Sequence, residues 1–331
     1  MTMLPPQNTR QIGEALRRSG VTRREFVHLC STLLLAAPVG LALTSNSLTP
    51  DELASNIGKA SRLPILWLSL QSCTGCSETL LRTSMPGVDE LFLNLISLEY
   101  HQLLMAASGK EAEKTLSEAI RRHAGRYLLI VEGAIPGAGQ EHCLKIAGHP
   151  ATEILRKASA DAAVVIAMGS CASWGGIVAA EPSPTAATGI AEHAGGKLLI
   201  NIPGCPPNPY VLIATILEYA VASRFPALDD QHRPLFAFDR FIHEHCPRRG
   251  HFEAGRIARH FGDAKHRKGY CLFGLGCKGP ITHAACSTRH FNEIPDCWPI
   301  GIGAPCFGCT ESKIAFRMPV YQLVILEEDP L

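Results

Sequence analysis

The stretch Ile65-Leu66-Trp67-Leu68-Ser69-Leu70 runs almost directly into Ser72-Cys73-Thr74-Gly75-Cys76-Ser77-Glu78. A short apolar run bounded by turn signals predicts a buried strand. Such a strand carries two thiols to its carboxyl end, the edge at which open α/β sheets bind ligands. Two cysteines with two residues between them suit a metal centre or a redox disulfide. The other cysteines narrow that choice.

There are thirteen, at 30, 73, 76, 143, 171, 205, 246, 271, 277, 286, 297, 306 and 309. This density suits either a disulfide framework or a set of metal sites. The chain has 331 residues, 46% of them hydrophobic. A core of that size needs no staples, so the disulfide reading is the weaker one. The formal net charge is +1, which gives nucleic-acid binding no electrostatic support.

Residues 1–48 read as a leader and linker. Thr22-Arg23-Arg24-Glu25-Phe26-Val27-His28 precedes an apolar run over 33–43. A basic region before a short apolar stretch is the layout of an export signal, and the run is too short for a stable membrane span. The arginine pair resembles the twin-arginine signal, with His28 where Lys is usual. That route carries folded proteins, which suits metal sites filled in the cytoplasm.

Residues 49–225 alternate strand and helix. Strands are predicted over 65–70, 91–99, 127–133, 162–169 and 198–204, and helices over 111–123, 152–160 and 210–223. Continuous apolar strands between helices predict a parallel sheet covered on both faces, with flavodoxin-like order as the nearest analogy. The strand ends carry the chemistry. The first delivers Cys73 and Cys76. The fourth delivers Gly169-Ser170-Cys171-Ala172-Ser173-Trp174-Gly175-Gly176, and the fifth Pro203-Gly204-Cys205-Pro206-Pro207. Four thiols on one sheet edge with no nearby histidine suit a [4Fe–4S] cluster or a structural zinc.

Residues 226–331 lose the regular pattern and are rich in Gly, Pro, His and Cys, as expected of a domain held by its cofactors. One group there joins His243 or His245 to Cys246, Cys271 and Cys277. A second joins Cys286 to Cys306 and Cys309.

Taken in order, the motifs C-T-G-C-S-E, G-S-C-A-S-W-G-G, P-G-C-P-P-N-P, H-x-x-C-P-R-R, C-L-x-x-L-G-C-K-G-P, W-P and P-C-x-G-C resemble the small, electron-transfer subunit of a nickel–iron hydrogenase of the exported uptake type. The resemblance implies an α/β flavodoxin-like domain followed by a largely irregular cluster-binding domain. It implies a proximal [4Fe–4S] cluster on Cys73, Cys76, Cys171 and Cys205. It implies a distal [4Fe–4S] cluster on His243, Cys246, Cys271 and Cys277, and a medial [3Fe–4S] cluster on Cys286, Cys306 and Cys309. The family's H-x-x-C pattern favours His243 over His245. The implied partner is a large subunit that holds nickel and splits hydrogen, so this chain alone is silent. The implied acceptor is a membrane cytochrome or an iron–sulfur protein.

Several positions depart from the family. Ser72 replaces a common Glu before the first proximal cysteine. Gly75 and Gly176 stand where oxygen-tolerant members carry two extra cysteines, which implies an ordinary proximal cubane and oxygen-sensitive turnover. The stretch from Thr310 to Arg317 differs from the common ending, and no apolar segment long enough for a membrane anchor follows it. In the family the proline of the W-P segment faces the vacant corner of the medial cluster. The resemblance therefore leaves Cys297 unligated beside Pro299. Cys143 reads as a buried spectator. Arg248, Arg249, Arg256, Arg259, Lys265, Arg267 and Lys268 read as a solvated face, or as a docking face for an acidic redox partner. Two rival readings remain: a hydrogen-sensing complex of the same architecture, and a zinc-stabilised secreted binding protein.

Overall fold

The computed structural model describes residues 62–84, 87–222, 224–289, 297–314 and 316–322. The readings of Arg23 and Arg24, of the apolar run over 33–43 and of Cys30 lie outside the described residues.

Five strands form one parallel sheet: β1 (Leu63–Ser69), β2 (Ile96–His101), β3 (Leu128–Glu132), β4 (Val164–Met168) and β5 (Leu199–Ile202). Their spatial order is β2-β1-β3-β4-β5. This is the flavodoxin-like order, with its reversal between β1 and β3. The period of two along each strand splits the side chains between the two faces. Ile65, Trp67, Ile130, Ile166 and Ile200 join one buried core, with Leu212, Ile213 and Ile216 of helix α5 (Pro209–Ala222). Leu66, Leu68, Leu129, Val131 and Val165 join the other, with Leu116 and Ile120 of α2 (Gly109–Arg122) and Leu155 of α3 (Ala151–Ala160). Two short helices open directly on cysteine loops: α1 (Gly75–Leu81) after β1, and α4 (Gly169–Trp174) after β4.

The one element that differs in kind lies at 91–99. The chain makes a wide helical turn over Leu91–Leu95 before it enters β2 at Ile96. An apolar run carries no period that separates a buried helical turn from a strand, and Leu91 is buried in the core either way. Cys143 is also corrected. It lies in a single turn, Glu141–Cys143, and is exposed, with its thiol 3.5 Å from Gln140 Oε1.

From residue 224 onward the described residues hold only short helical turns, the longest being Arg249–Glu253. Ile242, Leu272, Leu275, Trp298 and Ile300 form a small core there, and Cys246, Cys277 and Cys286 pack against it. The cysteines are thus part of that region's own interior. Arg233, almost fully buried, ties this region together. It pairs with Asp229 at 2.7 Å and with Glu311 at 3.0 Å, and it donates to the Thr310 carbonyl at 3.1 Å. Among the described residues no helix is long and apolar enough to cross a membrane.

Candidate metal centres

Three parallel strands bring four thiols to one sheet edge. Cys73 and Cys76 follow β1, Cys171 follows β4 and Cys205 follows β5. They lie close enough for each other's charge to matter. Burial pushes the Cys76 thiol well up, and the charges of Glu132, Cys171, Cys73 and Cys205 push it further. Cys205 is pushed up to about 11 by burial and then by Cys171 and Cys73. The backbone is moulded around the sulfurs. Gly169 has φ +89°, and a Cβ there would sit 2.5 Å from the Cys76 sulfur. Gly176 has φ +54°, and its Cβ would sit 2.7 Å from the Cys171 sulfur. Cys73 and Cys205 are exposed, so this site opens to the surface, beside an exposed Ile177.

A charge that the sequence reading passed over lies underneath. Glu132 ends β3 and is completely buried. Its carboxylate accepts the Ser77 amide at 2.8 Å, the Ser69 hydroxyl at 2.8 Å and the Ser72 hydroxyl at 3.5 Å. Ser72 therefore leads to a buried carboxylate without carrying one. The sequence signal was a charged residue closing an otherwise apolar central strand.

A cavity of about 320 Å³ lies between this edge and the C-terminal region. Cys205 lines one side, and Cys286, Cys309 and Cys297 line the other, with Trp298 and Pro299. Burial, followed by the Cys306 charge, pushes Cys286 up to about 12. Burial also drives Cys306 and Cys309 far above the usual thiol range. Cys297 is half-buried on this wall.

A third pocket is lined by His243, Cys246, Cys271 and Cys277, among Phe252, Phe273 and Ile300. Burial lowers the His243 pKa, with Arg249 adding to the effect, so the ring is neutral and able to ligate. The ring stands edge-on to Phe252 at 4.8 Å. His245 does not line this pocket. It is exposed and lies 3.1 Å from Arg240 Nη1. Lys278, next to Cys277, is buried, and its ammonium donates to the carbonyls of Pro319, Val320 and Gly276 at 2.9, 3.0 and 3.4 Å.

Among the described residues no three of His, Cys, Asp and Glu stand close enough to hold a single metal ion. Burial raises the thiol pKa of Cys76, Cys171, Cys205, Cys246, Cys271, Cys277, Cys286, Cys306 and Cys309, so ligation there releases protons. Thiols gathered in groups of three and four, with a single histidine among them, are a donor set that suits multi-iron clusters.

Fold and sites together define an iron–sulfur electron carrier built on a flavodoxin-like sheet. Comparison with known proteins makes the class particular. Residues 73–219 match the family of the 20 kDa subunit of NADH ubiquinone oxidoreductase, and residues 238–322 match the C-terminal family of NiFe/NiFeSe hydrogenase small subunits. The chain is 46% identical over 308 residues to the Hydrogenase-2 small chain of Escherichia coli K12, covering 93% of this chain and 81% of that one. It is 43% identical over 298 residues to the quinone-reactive Ni/Fe-hydrogenase small chain of Wolinella succinogenes, covering 89% and 82%. The solved NiFeSe hydrogenase of Desulfomicrobium baculatum superposes with a TM-score of 0.72 at 33% identity, over 80% of this chain and all of that one. The chain belongs to the small-subunit family of nickel–iron hydrogenases. It is the electron-transfer subunit of a hydrogenase and works as a complex with a large subunit that oxidises hydrogen.

Proposed function

We propose that this subunit carries electrons from the large subunit through three iron–sulfur clusters in a line. Cys73, Cys76, Cys171 and Cys205 would hold a proximal [4Fe–4S] cluster. Cys286, Cys306 and Cys309 would hold a medial [3Fe–4S] cluster, with Pro299 at its open corner and Cys297 unligated. His243, Cys246, Cys271 and Cys277 would hold a distal [4Fe–4S] cluster. The clusters supply one-electron acceptors whose potentials follow ligand type and surroundings. The chain's residues supply the order. The observation that carries the reading is the convergence of the cysteines into three groups, with Cys205 and Cys309 on the walls of one cavity.

The exposed Cys73 and Cys205 edge, with Ile177 beside it, suits coverage by the large subunit. At the other end, neutral His243 replaces a thiolate and removes one negative charge, which favours electron arrival there. Arg256, Arg259, Lys265, Arg267 and Lys268 are exposed beside that pocket and suit docking of an acidic acceptor. A membrane cytochrome or iron–sulfur acceptor agrees with the quinone-reactive relative, and a periplasmic location agrees with Arg23 and Arg24.

The test is metal analysis of the complex purified without oxygen. The expected result is about eleven iron atoms per small subunit, four, three and four, with a near-isotropic paramagnetic signal from the oxidised medial centre. Stoichiometric zinc with little iron would refute the reading.

A further inference from the structure

One hydroxyl joins two of these sites. Ser170 precedes Cys171 and is 1% exposed. Its Oγ–H donates to the Cys309 carbonyl at 2.6 Å. The same oxygen accepts the Gly204 amide at 3.1 Å, and the Ser170 amide donates back to the Gly204 carbonyl at 2.9 Å. Gly204 in turn precedes Cys205. The hydroxyl therefore binds the residues before two proximal cysteines to a medial cysteine itself. The backbone bond between Ser170 and Gly204 already holds those two loops together. The bond to Cys309 is the added function of the side chain.

The next junction is built differently. There the Lys278 amide, one residue after Cys277, donates to the Cys306 carbonyl at 2.8 Å. That link is pure backbone and survives a change of side chain at 278. At the proximal junction the Cys205 amide also points at the Cys309 sulfur, but the short O–H···O bond depends on the identity of residue 170. Electron tunnelling falls off far less steeply through covalent bonds and short hydrogen bonds than across gaps between unbonded atoms.

We infer that Ser170 is the coupling residue between the proximal and medial sites, and that its hydroxyl bond to Cys309 is the path by which electrons cross. The inference rests on the three-cluster reading above. With clusters bound, one electron would pass from the Cys171 and Cys205 side through Ser170 to Cys309, the proximal site being oxidised by one electron and the medial site reduced by one. No bond or proton moves, and hydrogen oxidation in the large subunit supplies the electron.

Ser170→Ala and Ser170→Thr, each in the intact complex, test it. The oxidised complex is mixed with H2 and freeze-quenched, and the loss of the oxidised medial signal is followed in time. Ser170→Ala is expected to slow that loss several-fold, with iron content and the potentials of both centres unchanged. Ser170→Thr, which keeps the hydroxyl, is expected to restore the rate. An unchanged rate in Ser170→Ala overturns the inference. Loss of iron together with the medial signal in that variant also overturns it, because the hydroxyl would then be a structural clasp only. A wild-type complex with no medial signal would instead remove the cluster reading, and this inference with it.

Discussion

A buried ring shows how strongly this interior sets protonation. His101, at the end of β2, is 2% exposed and stacks on Trp67 at 5.1 Å. Its Nδ1 accepts the Leu103 amide at 3.2 Å, which leaves the proton on Nε2, 3.2 Å from Ser77 Oγ. Burial lowers its pKa from 6.5 to about 4. The unfolded chain therefore takes up a proton first as pH falls, and the folded state loses stability between those two values. The loss is about 1.4 kcal/mol per pH unit and stops once both states are protonated. His101→Gln is expected to flatten the fall in unfolding temperature between pH 6.5 and 4 relative to the parent, as read by calorimetry. An equally steep fall in the variant would assign the pH dependence elsewhere. Residues of this kind were not legible in the sequence. Cysteines announce themselves by type and spacing. Glu132, Ser170 and Lys278 gain their meaning only from partners far away in the chain, such as Cys309, 139 positions beyond Ser170.

The strands and helices were the most legible level. β3, β4 and β5 fall inside their predicted runs and β1 begins two residues before its own, because a continuously apolar run of that length needs cover on both faces. Residues 91–95 escaped, since burial alone does not choose between turn and strand. The tight shape of α4 was half visible, in glycines at 169, 175 and 176. What the sequence could not show is that Gly176 lies against the Cys171 sulfur. A Cβ there would come within 2.8 Å of the Cys171 backbone as well, and a left-handed φ costs a non-glycine residue about 1–2 kcal/mol. Gly176→Ala is therefore expected to displace Cys171 and lose about four iron atoms per small subunit, with the medial signal retained. Full iron content in that variant would mean that the loop yields more easily than its packing implies.

For the whole molecule, the division into a sheet and an irregular remainder was legible, while the seam between them was not. The proposed export belongs to this scale, because a chain that carried buried clusters would have to cross a membrane folded. Arg23→Lys with Arg24→Lys is expected to hold hydrogenase activity in the cytoplasm, measured by cell fractionation. Undiminished periplasmic activity would refute the twin-arginine reading. The seam has a further consequence. Two regions of one chain joined by a polar interface are ordinarily free to move against each other. Here Ser170 and Cys205 hold Cys309 from the sheet side, and within the C-terminal region Arg233 fixes the neighbouring Thr310 and Glu311. The spacing across the seam is therefore set at folding. Such a relay has no swinging arm, and internal transfer has no reason to slow as the solvent becomes more viscous.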